Sequence, residues 1–222
     1  MIGLGIIIGP LALSFDQKVF FIGNILPVLV ATVVVGAIYI AWDAWVVRLG
    51  DWKFNPEWTG MWRLFDLPAG EWLFFLSVPY ASLFLLEVFG AYFGRAMVSF
   101  VPRWMSFVLA GVFMSLAYAF RKKHYTFLAM FSVAVFMVLQ GLLVPDFWKR
   151  QDILLTMGSS VGTFLLVNGI YTRLPTIHYN PNAIWGVRVG TIPLEDFFYN
   201  LGMLGFYLLV YWLAKWGVQP WV

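Results

Sequence analysis

The sequence predicts an all-α fold: a polytopic membrane helix bundle of about seven transmembrane helices, organised as two parallel internal repeats. Three observations predict it. First, 62% of the 222 residues are hydrophobic, 20% are aromatic and only 11% are charged, with a mean hydropathy of +0.83, which lies outside the range of soluble globular chains. Second, apolar runs close to the roughly 20 residues needed to cross a bilayer recur along the chain. Third, the scarce polar residues of two long connections recur at one fixed offset.

The apolar segments are 2–15, 19–42, 72–92, 104–120, 125–144, 153–171 and 197–214. The first is short and contains Pro10, so a partial or tilted helix is expected there. Arg121-Lys122-Lys123-His124 separates the fourth and fifth segments and predicts a tight helical hairpin. Trp42, Trp72, Trp104, Trp148, Trp212 and Trp216 sit at segment ends, where indoles anchor helices at the membrane interface. No cleavable signal is expected, because the first basic residue, Lys18, follows the first apolar run. The reading is one membrane domain over 1–222, with repeat one at 16–95, a hairpin at 104–144 and repeat two at 150–215.

Seven spans bring the long polar connections, 43–71 and 168–192, out on one face. That face carries eight Lys and Arg residues against six on the other. The bias places these connections in the cytoplasm and the chain in the cell (inner) membrane.

Composition excludes several function classes. Without cysteine there are no disulfides and no thiolate metal sites. His124 and His178 are far apart in sequence and have no clustered carboxylates, so no metal is expected. The net charge of +3 comes from isolated basic residues at segment ends, which argues for lipid contacts rather than nucleic acid. There is no aspartate-rich diphosphate motif, no G-x-G-x-x-G after a strand, and no Ser-His-Asp set. A retinal-binding reading fails because Lys215 lies at the end of the last helix rather than in its middle.

The repeat has an offset of 125 positions. It pairs Asp43 with Asn168, Arg48 with Arg173, Asn55-Pro56 with Asn180-Pro181, Arg63 with Arg188, Pro68 with Pro193 and Glu71 with Asp196. Each half reads helix, aromatic-Asn-Pro turn, Arg, Pro, acid, aromatic helix. Both copies leave the membrane on the same face, so they are parallel repeats about an axis along the membrane normal. The expectation is that Glu71 meets Glu195-Asp196, and Asp43 meets Asn168, around a water-poor chamber.

Acids at the mouths of membrane helices are costly and usually functional. A carboxyl in low dielectric beside another carboxyl holds a proton at neutral pH. The nearby rings of Trp72, Phe74, Phe75, Phe197, Phe198 and Tyr199 offer faces that stabilise a transient cation. An acid, a cation-tolerant cavity and a lipid-phase substrate together suit proton-initiated cyclisation of a polyene. Parallel repeats with acids also suit a proton-coupled transporter, although these acids sit at helix mouths rather than at the midplane.

The motifs Trp42-Asp43, Gly50-Asp51-Trp52-Lys53-Phe54-Asn55-Pro56, Leu67-Pro68-Ala69-Gly70-Glu71-Trp72, Tyr179-Asn180-Pro181 and Gly186-Val187-Arg188 to Phe197 resemble the lycopene cyclase domain family. The likeness is to the heterodimeric type, with its two small membrane halves fused in one chain. The family signature is Pro-x-Glu-Glu/Asp in each half. Pro193-Leu194-Glu195-Asp196 matches it fully, whereas Pro68-Ala69-Gly70-Glu71 has Gly70 in place of the first acid. The resemblance implies a cofactor-independent isomerisation in which the ends of lycopene or a similar acyclic carotenoid close to β-ionone rings. It assigns initiation to Glu195 and Asp196, with Glu71 assisting. Another isoprenoid substrate remains the alternative.

The supporting candidates each carry a simpler reading. Asp43 also reads as a helix terminator beside Trp42, and Asn168 as an interhelical hydrogen bonder. Arg63 and Arg188 either orient the carboxylates or anchor the interface. Trp72, Phe75, Phe197 and Phe198 either stabilise a cation or simply pack. Glu87, 16 residues beyond Glu71 and so roughly 24 Å along its helix, is expected to be solvated at the opposite face.

Overall fold

The computed structural model describes residues 2–98 and 101–218. Positions 1, 99–100 and 219–222 of the single-domain reading lie outside the described residues. Seven helices stand at the seven expected places: α1 (Ile2–Leu13), α2 (Ile25–Leu49), α4 (Ala69–Phe93), α5 (Arg103–Ala119), α6 (His124–Leu143), α7 (Gln151–Arg173) and α8 (Leu194–Trp216), with a single-turn α3 (Pro56–Thr59) between α2 and α4. Five of them, α2, α4, α6, α7 and α8, are long and apolar enough to cross a membrane. α5 has 17 residues and α1 has 12, so α1 is too short to span unaided. The protein is a membrane helix bundle.

Two helices run deeper into the polar connections than their apolar runs suggest. α2 continues past Trp42 to Leu49 and ends on Gly50, whose φ of 80° suits a left-handed C-terminal residue. The Gly50 and Asp51 amides close the end on the Val47 and Val46 carbonyls at 3.1 and 3.0 Å, a Schellman stop. α7 runs to Arg173 and stops before Leu174-Pro175, where proline disfavours helical geometry in the preceding residue. Asp43 and Asn168 therefore lie inside helices, near their polar ends.

The connections themselves carry three small antiparallel pairs. β1 (Trp52–Phe54) pairs with β4 (Ile177–Tyr179), with Lys53 opposite His178. β2 (Arg63–Leu64) and β3 (Leu67–Pro68) form a hairpin with Arg63 opposite Pro68. β5 (Arg188–Val189) and β6 (Ile192–Pro193) form another with Arg188 opposite Pro193. The two hairpins occupy positions 125 residues apart, and each leads straight into a helix, α4 or α8. The Asn55 amide donates to Thr176 O at 2.9 Å and the Asn180 amide to Asp51 O at 2.8 Å, a reciprocal pair across the β1–β4 ribbon.

α8 lies at the centre, against α2 on one side and α6 on the other. Its Gly205 and Gly202 allow the close approach: a Cβ on Gly205 would meet the Phe136 ring at 2.6 Å, and one on Gly202 would meet Ser132 Oγ at 2.6 Å. Small residues at such crossings stabilise membrane helices by dispersion contact rather than by release of water. Tyr207, Tyr211, Phe136 and Leu83 are fully buried in the core.

Candidate functional site

Proline precedes the first turn of both α4 and α8 in extended geometry. Its missing N–H would have had no helical partner there. The first turn of α4 carries Glu71, and that of α8 carries Glu195 and Asp196. Carboxylates in these places face the positive ends of the helix dipoles.

Asp196, 6% exposed, is held by three donors from three elements. The Tyr125 hydroxyl of α6 donates to Oδ1 at 2.7 Å. The Asn168 amide of α7 donates to Oδ2 at 3.0 Å, and the Tyr179 hydroxyl of β4 donates to the same oxygen at 2.7 Å. Asp43 accepts the Tyr199 hydroxyl of α8 at 3.1 Å on both oxygens. Glu71 accepts the Tyr171 hydroxyl of α7 at 3.3 Å. The carboxyls of Asp43, Glu71 and Asp196 lie within electrostatic reach of one another. Among the described residues, none of the three, nor Glu195, forms an ion pair.

The donors are therefore phenols and an amide. Burial, then the neighbouring Asp196 carboxyl, pushes the Tyr179 phenol well above its ordinary value, so it stays a proton-bearing donor. The phenol rings also build a wall. Tyr125 stacks over Tyr179 at 6.1 Å, Trp52 meets Tyr125 edge-on at 4.8 Å, and Trp42 lies 5.0 Å from Tyr199. The buried indole nitrogens of Trp42 and Trp52 have no protein partner.

Glu195 points elsewhere, as its place one residue (a 100° turn of the helix) from Asp196 requires. Its Oε1 accepts the Thr126 hydroxyl at 2.5 Å and the Trp185 amide at 2.6 Å, while Oε2 is buried without a partner. It ties the 183–185 loop to the start of α6, where the Tyr125 and Thr126 amides also bond Ala183 O at 3.0 and 3.3 Å.

Of the residues singled out in the sequence, Asp43, Glu71, Asn168 and Asp196 converge. Arg63 and Arg188 do not reach the carboxylates. The Arg63 guanidinium bonds the Gly60 and Trp62 carbonyls and the Thr59 hydroxyl, and Arg188 bonds Thr191 O at 2.6 Å. Arg63 thus braces the segment that leads into its hairpin, and Arg188 braces the turn of its own hairpin.

The four aromatic candidates make packing contacts. Phe197 meets Phe164 at 5.0 Å and Phe198 meets Phe113 at 5.4 Å. The Trp72 indole N–H donates to Leu64 O at 3.3 Å, and Phe75 packs on Phe74 at 5.2 Å. Trp72 and Phe75 also line an apolar groove of about 640 Å³ between α2 and α4, beside Ala44 and Ile40. None of the three acids lines the groove; its lining residues Ala44 and Trp72 are the chain neighbours of Asp43 and Glu71.

Glu87 corrects the solvated expectation. It is 5% exposed and takes the Arg95 guanidinium at 2.7 Å, the Tyr211 hydroxyl at 2.6 Å and the Lys215 ammonium at 2.6 Å. The basic residues intended for the opposite interface turn inward to neutralise it.

Sequence reasoning missed the phenols Tyr125 and Tyr171. Tyr179 and Tyr199 were noted only as a turn residue and a ring. The spacing Asp196 to Tyr199 is i to i+3, which puts both on one helix face. No comparable local signal marks Tyr125 or Tyr171, whose partners lie 71 and 100 positions away.

A family profile described as lycopene cyclase matches residues 1–89 and 122–214, the two stretches that supply every acid and phenol of the cluster. No curated protein and no solved structure matches the chain. A match over most of the chain, on both acid-bearing helices, places this protein in the lycopene cyclase family.

Proposed function

We propose that the protein closes rings at the ends of lycopene or a similar acyclic carotenoid by a proton-initiated isomerisation that needs no cofactor. The observation that carries this reading is the convergence of Asp43, Glu71 and Asp196 among neutral donors, with no ion-paired cation among the described residues. Family membership supports a carotenoid cyclase in general terms.

In the reaction, a protonated carboxyl of the cluster adds its proton to the terminal C=C bond, leaving a tertiary cation. The electrons of a neighbouring double bond attack that cation and close a six-membered ring, which moves the charge into the ring. A second carboxyl removes a ring proton and restores the double bond. The substrate gains one proton and loses another, so product and substrate are isomers and the acids are returned to their starting total protonation.

Glu71, with one long hydrogen bond, is the better placed to surrender a proton. Asp196, oriented by three donors, is the better placed to receive one. The phenol and indole faces around them stabilise the passing cation. Glu195 positions the α6 end of this wall through the 183–185 loop.

The matching hairpins at an offset of 125 residues support reading the halves as parallel repeats within one domain. The basic bias of the sequence supports an inner-membrane location with these hairpins in the cytoplasm. The test is expression in a lycopene-accumulating bacterium with pigments separated by chromatography. Cyclic end groups are expected. An unchanged linear pigment, with the protein verified in the membrane, contradicts the reading.

A further inference from the structure

The groove between α2 and α4 follows one face of α2 from Thr32 to Arg48, roughly 24 Å of helix axis. On that face Ala37, Ala41 and Ala44 recur at helical spacing and leave room, while Trp72, Phe75 and Leu76 of α4 form the far wall. Val33 and Leu76, at 65% and 56% exposure, open it to the lipid side. Its occupant is therefore long, apolar and delivered from the bilayer.

A second observation concerns the end of the groove formed by Arg48, Phe65 and Trp72. The two-residue turn of the β2–β3 hairpin is Phe65-Asp66, with φ of 52° and 67°. Left-handed geometry is uncommon for a bulky side chain. The corresponding turn of the other hairpin uses Gly190, at φ 63°, where no strain arises. Strain of this kind persists where a side chain is needed in place. The Phe65 ring lines the groove, 6.2 Å from Trp72. Asp66 is tied down by Arg48 Nε at 2.7 Å, and Arg48 also lines the groove.

We propose that this groove is the seat of one arm of a linear conjugated polyene. Phe65 and Trp72 clamp the chain where it passes towards Glu71 and Asp43, and the alanines of α2 set the width. The assignment rests on the proposed function. A conjugated chain fits better than a lipid acyl chain for two reasons. Its flat π surface stacks on the paired aromatic rings. Its rigidity also means little freedom is lost on lying in a straight trough.

The test uses the full protein in lipid nanodiscs with lycopene as the probe. The readout is the visible circular dichroism that this achiral polyene gains only when held in a chiral site. The parent is expected to induce the band, and Ala41→Phe, which fills the trough, to abolish it. Phe65→Gly is expected to weaken binding about five- to tenfold, the loss of one aromatic contact, while its melting temperature stays level or rises as strain is relieved. Asp196→Asn is expected to keep the band.

No band with the parent, or parent-like binding by both groove variants, overturns the proposal. So does a lowered melting temperature for Phe65→Gly. Failure of the functional reading looks different: the band forms and is lost in Ala41→Phe, yet no rings are made. If rings are made equally by the parent and Ala41→Phe, the groove assignment falls and the cyclase reading stands.

Discussion

Buried polar groups gather at both ends of the bundle, and the two gatherings are built on opposite principles. At the far end, Glu87 and Asp152 are neutralised. Arg95 reaches both, at 2.7 and 3.3 Å, Lys215 joins Glu87 at 2.6 Å, and Arg150 donates through Nε to Asp152 at 2.9 Å. The cations rest against indoles, with Arg150 4.3 Å from the Trp212 ring and Lys215 4.6 Å from that of Trp216. At the hairpin end, Asp43, Glu71 and Asp196 share no cation among the described residues and lean on phenols and one amide. Paired charges satisfy one another and have no proton to give. Acids supported only by neutral donors can exchange a proton with whatever lies beside them. The first arrangement clamps α4, α7 and α8 together, and the second leaves its acids free for chemistry.

Substitutions at the two ends should therefore separate activity from stability. The largest expected effect is on Asp196→Asn, which removes a proton-transfer group and should lower turnover about 10²- to 10⁴-fold. Its thermal stability should hold, because the side chain keeps its shape and most of its partners. Arg95→Ala should do the reverse. Leaving Glu87 and Asp152 partly unpaired in a buried site costs about 3–5 kcal/mol, read as a lower melting temperature, with turnover per folded molecule unchanged. If Arg95→Ala abolishes turnover in well-folded protein, the far cluster is not merely a clamp.

Smaller effects sharpen the picture within the hairpin end. Tyr179→Phe deletes one of three donors to Asp196 and should cost about 1.5 kcal/mol in the transition state, or about tenfold in kcat. Glu195→Gln preserves an acceptor for Thr126 and Trp185 and should cost less than about tenfold. A loss with Glu195→Gln as deep as that with Asp196→Asn would return initiation to Glu195.

Much of this was legible in the chain. Seven apolar runs gave seven helix positions; the two hairpins were not expected, although the Arg and Pro that recur at one offset fall within them. Asp43, Glu71, Asn168 and Asp196 were identified because polar residues are scarce in such a composition. The helix ends were less legible. α2 and α7 continue beyond their apolar stretches until Gly50 and Pro175 stop them, signals that hydropathy alone does not weigh.

The partners of the acids were hidden for a different reason. Tyr125 and Tyr171 reach Asp196 and Glu71 from other helices, so only the packing of the bundle brings them together. For the arginines the sequence left two roles open, orienting the carboxylates or anchoring the interface. Here Gly60 O takes Arg63 at 2.5 Å and Thr191 O takes Arg188 at 2.6 Å. Glu87 misled, its cations being 8 and 128 positions away.

The most direct measurement is of the proton itself. Cyclisation of lycopene by the purified protein in D₂O, followed by mass spectrometry of the product, should show one deuterium retained for each ring closed. The proton added to the terminal double bond and the proton later removed sit on different carbons. Rings formed without deuterium would contradict proton initiation from the Asp43, Glu71 and Asp196 cluster.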